Sequence, residues 1–370
     1  MAAAVPLVSE RLCGDLQQAI SALAWSEDGE FLAIASAGGE LLFIDFRAGC
    51  EELLRGNRDS SLDVVGFSGD GQFLMAAGQS GELLLWELGG TGIRPMALDP
   101  MPLGAGWIDA AAWQPGGLLL AVAAGRQLRL WDGASRQWHG QPLELPGTIQ
   151  ALAWSSDGKR LSACSHGELV LWRPWAHSPS DPSLRHTIPS AGLTLAFSAA
   201  GHHLACGLLD RSLMVWPLKD QGEPWQVSGF PSKVRHLAWS DRSGRLAPLL
   251  ATASAEAVIL WTQLNQGPKA WQPEPLLWHE RRVNALAFSP GSTLLASASS
   301  DSTVALWDGA GQLLQPLEGR GSGFNALAWR PDGCHLAAGD AQGRWWLWPV
   351  AVPMGARLRQ QAGGGVATRS

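Results

Sequence analysis

A motif close to Ala-Leu-Ala-Trp returns eight times along this 370-residue chain. Each copy is followed by a turn, a short apolar segment, a second turn and another apolar segment that ends, in seven of the eight, on tryptophan. The copies occupy 22–46, 64–88, 111–133, 151–174, 194–218, 236–263, 285–309 and 326–350, units 1 to 8 below. The first aromatic anchor falls at Trp25, Phe67, Trp113, Trp154, Phe197, Trp239, Phe288 and Trp329, a mean period of about 43 residues, within the 40–45 residues of a four-stranded unit. The second anchor is Ile44, Trp86, Trp131, Trp172, Trp216, Trp261, Trp307 and Trp348. A unit this small cannot bury its apolar face alone, so the repeat predicts one large stacked domain rather than two or three independent ones.

The apolar segments are four to seven residues long and bounded by Gly, Asp, Ser or Pro, which suits strands and is too short for amphipathic helices. Asp28-Gly29, Asp70-Gly71, Asp157-Gly158 and Asp332-Gly333 fall between the first two strands, where a tight turn requires a positive φ. Small residues after that turn, such as Ala33, Ala35 and Ser36, let neighbouring sheets approach, while the large tryptophans fill a wedge that opens outward. Fourth strands are expected at Glu51–Arg55, Gln137–Leu145, Glu274–Trp278 and Gln312–Leu317.

These residues resemble the WD40 repeat β-propeller family, whose units carry a GH…LAFSPDG…LASGSxDxTVxLWD signature, and the likeness spans roughly residues 5–350. The resemblance implies an all-β fold, a single eight-bladed WD40-type β-propeller over residues 1–350 with a flexible tail at 351–370. The tryptophan–aspartate pair survives only as Trp131-Asp132 and Trp307-Asp308. Unit 7 is the fullest match, and the resemblance assigns His279, Ser297, Ser299, Asp301 and Trp307 to a buried structural hydrogen-bond network. The other units lack that histidine and are expected to rely mainly on apolar packing. Unit 8 has no fourth strand after it, so the N-terminal segment Val5–Leu12 is expected to complete the last blade and close the ring.

Twenty-seven basic against 33 acidic residues leave a formal charge of −6, with only 16% charged residues and no Lys/Arg-rich stretch. That balance gives neither nucleic acid nor an anionic membrane an electrostatic footprint. No apolar run reaches the 18 or so residues of a membrane helix, and the N-terminus lacks the order of a secretory signal, so a soluble, cytoplasmic chain is expected. Cys13, Cys50, Cys164, Cys206 and Cys334 are odd in number and widely spaced, which fits reduced thiols. Twenty tryptophans stand beside no tyrosine at all, removing any mechanism that needs a phenol.

Function on a repeat scaffold belongs where the repeat breaks its own rule. Counting back from the first anchor, positions −1 and −3 are mostly Ala and −2 is apolar, whereas position −4 reads Ser21, Asp63, Asp109, Gln150, Leu193, Arg235, Asn284 and Asn325. If the family topology holds, the seven polar residues ring one mouth of the central channel, where a peptide or a partner's loop would bind; a solvated lining without ligand is the bland alternative. Asp63 and Asp109 face the basic set Lys233, Arg235, Arg281 and Arg282 across the ring, a layout suited to orienting an extended partner.

Trp107, Trp175, Trp271 and Trp345 lie outside the anchors, and Trp175, in a Pro-rich loop, is a possible rim anchor. His202 and Cys206, on one strand, are about 13 Å apart and too far to share a metal. No cofactor motif is present. Asp63 and Asp109 could act as a glycosidase pair only at roughly 5–9.5 Å. The expected function is a non-catalytic protein-protein interaction scaffold for an unidentified protein or peptide, monomeric within a larger complex; a channel-carboxylate hydrolase or lyase and a small-ligand sensor are the alternatives.

Overall fold

The computed structural model describes residues 8, 12–88, 95–104, 106–174, 184–219, 222–243, 247–264 and 271–351. All regular structure among them is β, arranged in seven antiparallel sheets. Unit 1 shows the plan, with Ile20–Trp25 innermost, then Phe31–Ser36, Leu41–Asp45 and Cys50–Arg55 paired in sequence order. Units 4 and 5 share one seven-stranded sheet because the 14-residue strand Leu184–Phe197 is continuous. Its first half pairs outside His166–Trp172 and its second half starts unit 5 against His203–Leu208.

A single register rule governs all eight units. The first anchor and the second anchor both pair with the same leucine of the intervening strand: Leu32, Leu74, Leu120, Leu161, Leu204, Leu250, Leu295 and Leu336. All eight leucines are buried. A strand slip of one residue would turn this row to the wrong face, so the repeated row fixes register eight times over.

The apolar cores lie between units, not within them. Trp113, Leu120 and Trp131 of unit 3 pack on Phe73, Met75 and Leu85 of unit 2, and Ile20, Leu32 and Ile34 of unit 1 pack on Trp345 and Leu347 of unit 8. The innermost strands touch in cyclic succession, Ile20–Trp25 lying against Leu62–Phe67 on one side and Phe324–Trp329 on the other.

A polar tie reinforces each tryptophan of the first anchor. The indole Nε1 of Trp25, Trp113, Trp154, Trp239 and Trp329 donates to the carbonyl of the −1 residue in the preceding unit: Ala328 (3.2 Å), Gly66 (3.2 Å), Ala112 (3.0 Å), Ala196 (3.0 Å) and Ala287 (3.0 Å). Phenylalanine at Phe67, Phe197 and Phe288 cannot make this bond.

Of the expected closing segment Val5–Leu12, only Val8 and Leu12 are among the described residues; the described outer strand beside unit 8 is Leu12–Asp15, which pairs antiparallel with Arg344–Pro349 from Leu12 opposite Leu347 to Asp15 opposite Arg344. The register is set by Gly14, which faces Trp345 so closely that a Cβ there would sit 2.6 Å from the indole. The other outer strands also shift slightly, to Cys50–Arg55, Gln137–Glu144, Trp271–Leu276 and Leu313–Glu318.

Units without the histidine add polar ties to the apolar packing expected to hold them. In unit 8 the fully buried carboxylate of Asp340 accepts from the hydroxyl of Ser322, from Arg344 Nε (2.9 Å) and from the backbone N–H groups of Gln342 and Arg344. In unit 1 the buried Glu40 accepts from Ser36 Oγ (2.9 Å) and from the N–H groups of Gln17 and Gln18. In unit 6, Thr252 Oγ1 receives Trp261 Nε1 at 3.0 Å.

Candidate interaction site at the channel mouth

Position −4 carries a β-bulge. In units 1, 2, 3, 5, 7 and 8 the pairing of the innermost strand jumps from residue −5 to residue −3, leaving Ser21, Asp63, Asp109, Leu193, Asn284 and Asn325 unpaired. A bulge re-aims its extra residue, which is why this one position escapes the apolar pattern.

The structure divides the seven polar residues of this position. Ser21 Oγ donates to the carbonyl of Leu62, Asn284 Nδ2 to that of Phe324 (2.8 Å) and Asn325 Nδ2 to that of Ile20 (3.3 Å). Each acceptor is the −5 residue of the next unit, so these three side chains tie units together. Asp63, Asp109 and Gln150, in three successive units, are exposed instead. Asp63 accepts from Ser61 Oγ at 2.8 and 2.9 Å. The Asp109 carboxyl is raised above its ordinary value, first by partial burial and then by the charge of Asp63. The two carboxylates therefore form an electrostatically coupled acidic arc.

Opposite in sequence order stand Lys233 and Arg235, half-buried, with Arg281 and Arg282 exposed. Among the described residues no carboxylate pairs with any of these four. Sequence reasoning missed His236, which occupies position −3, where alanine is the rule. That break in the pattern was the available signal. Burial, with the charges of Arg282 and Arg235 beside it, pushes its imidazole down to about 4, so it is neutral near pH 7.

The unit 7 network is closed on itself. His279 Nδ1 meets Asp301 Oδ2 at 2.8 Å and Nε2 meets Ser297 Oγ at 2.8 Å, while Trp307 Nε1 donates to the same Ser297 oxygen at 2.9 Å. Ser299 Oγ donates to the carbonyl of Arg281 and accepts from the N–H of Asp301. Ser297 and Ser299 are fully buried. With its serine sealed beneath an indole, the set supports a strand connection and presents no nucleophile to solvent.

Of the extra tryptophans, Trp271 and Trp345 are buried and belong to inter-unit cores, whereas Trp107 is 61% exposed. Trp175 and the 352–370 tail lie outside the described residues. Cys164 and Cys206 are buried side by side next to Gly192, and among the described residues no group of three or more His, Cys, Asp or Glu side chains could hold a metal ion.

An all-β chain of stacked four-stranded repeat units whose innermost strands touch in cyclic succession falls in the class of propeller-type repeat proteins. Residues 140–173, 275–308 and 311–349 match the family described as WD domain, G-beta repeat. These three segments carry WD40 repeats, and the chain is similar to WD-repeat proteins. It is 27% identical to telomerase protein component 1 of Mus musculus over 64% of this chain and 9% of that protein. It is 24% identical to WD repeat-containing protein 1 of Rattus norvegicus over 45% and 36% respectively. The chain thus spans only about a tenth of the telomerase components it matches. Its fold is similar to that of Chaetomium thermophilum Sqt1 bound to the N-terminus of the ribosomal protein L10, at a TM-score of 0.77 and 18% identity, covering 90% of this chain and 97% of that one.

Proposed function

We propose that this chain is a non-catalytic interaction scaffold in which residues 1–350 act as one eight-bladed ring and an extended segment of a protein partner lies across the channel mouth. The observation that carries this reading is the division of position −4. Where the ring needs ties, the side chain is Ser or Asn bonded to the next unit. Where it does not, the side chain is a carboxylate at Asp63 and Asp109 or a guanidinium at Arg235, none with an ion-pair partner among the described residues. The acidic arc at Asp63 and Asp109 is self-repelling, and a lysine or arginine of the partner would relieve it; the basic arc asks for the opposite charge. The neighbour Sqt1, which is bound to a ribosomal protein's N-terminus, supports a peptide partner.

The test is co-purification from native lysate with the wild-type chain and with Asp63→Lys/Arg282→Glu, both exposed positions, after matching their thermal transitions. Loss of the wild-type partner from the variant is the expected result. Identical partners on both proteins would remove the mouth from consideration.

A further inference from the structure

The connection between Trp271–Leu276 and Val283–Phe288 ends at Arg282, in the lining of a pocket between units 6 and 7 of about 150 Å³ whose polar lining is Ser232, Lys233, Arg235, His236 and Arg282. At roughly 30 Å³ per water molecule this is room for a carboxylate or phosphate head and little more. Two of its buried polar atoms, Arg235 Nε and His236 Nε2, have no hydrogen-bond partner. Like charges gathered without counter-charge inside a chain of net charge −6 are held there against their own repulsion. Glu256 and Glu280 are the acidic residues adjacent in sequence, and neither forms an ion pair with the pocket's cations.

The same connection carries the two least explained apolar side chains of the surface, Leu277 at 85% and Trp278 at 44% exposure. Both were expected inside a strand, but the strand stops at Leu276. A basic pocket with an exposed leucine–tryptophan pair on its flanking loop is a composite surface that a free inorganic anion would use only in part. An oligonucleotide, which needs a stripe of phosphate contacts, would use it equally little. Exposed Trp beside a desolvated charge is the arrangement of an interface anchor.

We propose that this pocket binds an anionic side chain, carboxylate or phosphate, of an extended peptide whose neighbouring apolar residue rests on Leu277 and Trp278. The proposal deepens the scaffold reading and rests on it. Arg282 and Lys233 supply the charge, Arg235 Nε the buried donor, and the loop pair the apolar contact.

The experiment titrates the full chain, by fluorescence anisotropy, with three labelled peptides of one length. Each has a central leucine flanked by glutamate, by phosphoserine or by glutamine. Either anionic peptide should bind at least tenfold more tightly than the glutamine peptide, and the tighter of the two names the source of the anion. Arg282→Glu and Lys233→Gln should each weaken that binding about tenfold or more, and Trp278→Ala severalfold, while Glu51→Lys, exposed on the outer strand of unit 1, leaves it unchanged. Equal binding of the glutamine peptide overturns the proposal, as does unchanged affinity in both Arg282→Glu and Lys233→Gln. A single-stranded oligonucleotide that outcompetes both anionic peptides overturns it as well. If the peptides fail while the single variant Asp63→Lys, outside the pocket, still loses the native partner, the pocket is excluded and the scaffold stands.

Discussion

At the scale of single residues, the tryptophans of the first anchor do two jobs that sequence alone does not separate. Apolar volume is legible in the repeat, but the Nε1 bond to the preceding unit is not, because its acceptor is a backbone carbonyl about 42 to 47 residues away, or 303 away for Trp25. Trp239→Phe should therefore cost about 1 kcal/mol beyond any packing loss, the usual net worth of one hydrogen bond. Phe288→Trp, at a half-buried position with the Ala238 carbonyl in the equivalent place, should shift the thermal midpoint the other way. Calorimetry on both variants checks the signs. Asp301 offers a second test. Burial would raise its carboxyl, but the Thr303 hydroxyl, His279 and the Thr303 N–H together hold it below its ordinary value. A depressed folded-state value means that its stabilisation is present above the carboxylate range and is lost as pH falls through that lowered value. Asp301→Asn should lower the melting temperature at pH 7, and the gap from wild type should close on acidification below about pH 4.

At the scale of strands, the row of anchor, leucine and anchor made the elements legible, since period and turn glycines fix where each strand starts and which face is buried. Gly29, Gly71, Gly158 and Gly333 all take the positive φ expected at their Asp-Gly turns, between +65° and +73°. The site was legible only in part. Polarity at position −4 marked a special place, but the bulge beneath it, and hence which residues tie and which stay free, depends on the partner strand's register. The polar substitutes for the missing histidine, Asp340 and Glu40, were hidden for a similar reason: each meets its partners only after the sheet folds. The split at position −4 predicts opposite behaviour from similar substitutions. Asn325→Ala removes an inter-unit bond and should lower stability by about 0.5–1.5 kcal/mol. Asp109→Asn should raise it at pH 7, because a carboxyl raised in the folded state is destabilising when ionised. That gain should shrink as pH falls through the raised value toward the ordinary one. Thermal melts of both variants at pH 7 and pH 4 separate the two roles.

For the whole molecule, the question is what the N-terminal strand contributes to an assembly whose cores all lie between units. Without Leu12–Asp15, the strand Arg344–Pro349 loses its outer partner and Trp345, packed under Gly14, is uncovered. Unit 8 also contributes Trp345 and Leu347 to the core it shares with unit 1, so loosening its edge loosens the contact between the first and last units. In a stacked array, interface terms sum between neighbours, and the loss of one is felt chiefly by the two units that share it. Deleting residues 1–15 should therefore lower the melting temperature and expose the tryptophan-rich edge to self-association. Gly14→Val tests the same joint without shortening the chain. Its Cβ would meet the buried Trp345 indole at 2.6 Å, so either the indole or the strand must shift and the joint loosens. Both proteins should show earlier hydrogen exchange in 344–349 than in Leu161–Cys164, on the far side of the repeat order. Uniform exchange across the two segments would mean that the N-terminal strand is dispensable to the joint between units 8 and 1.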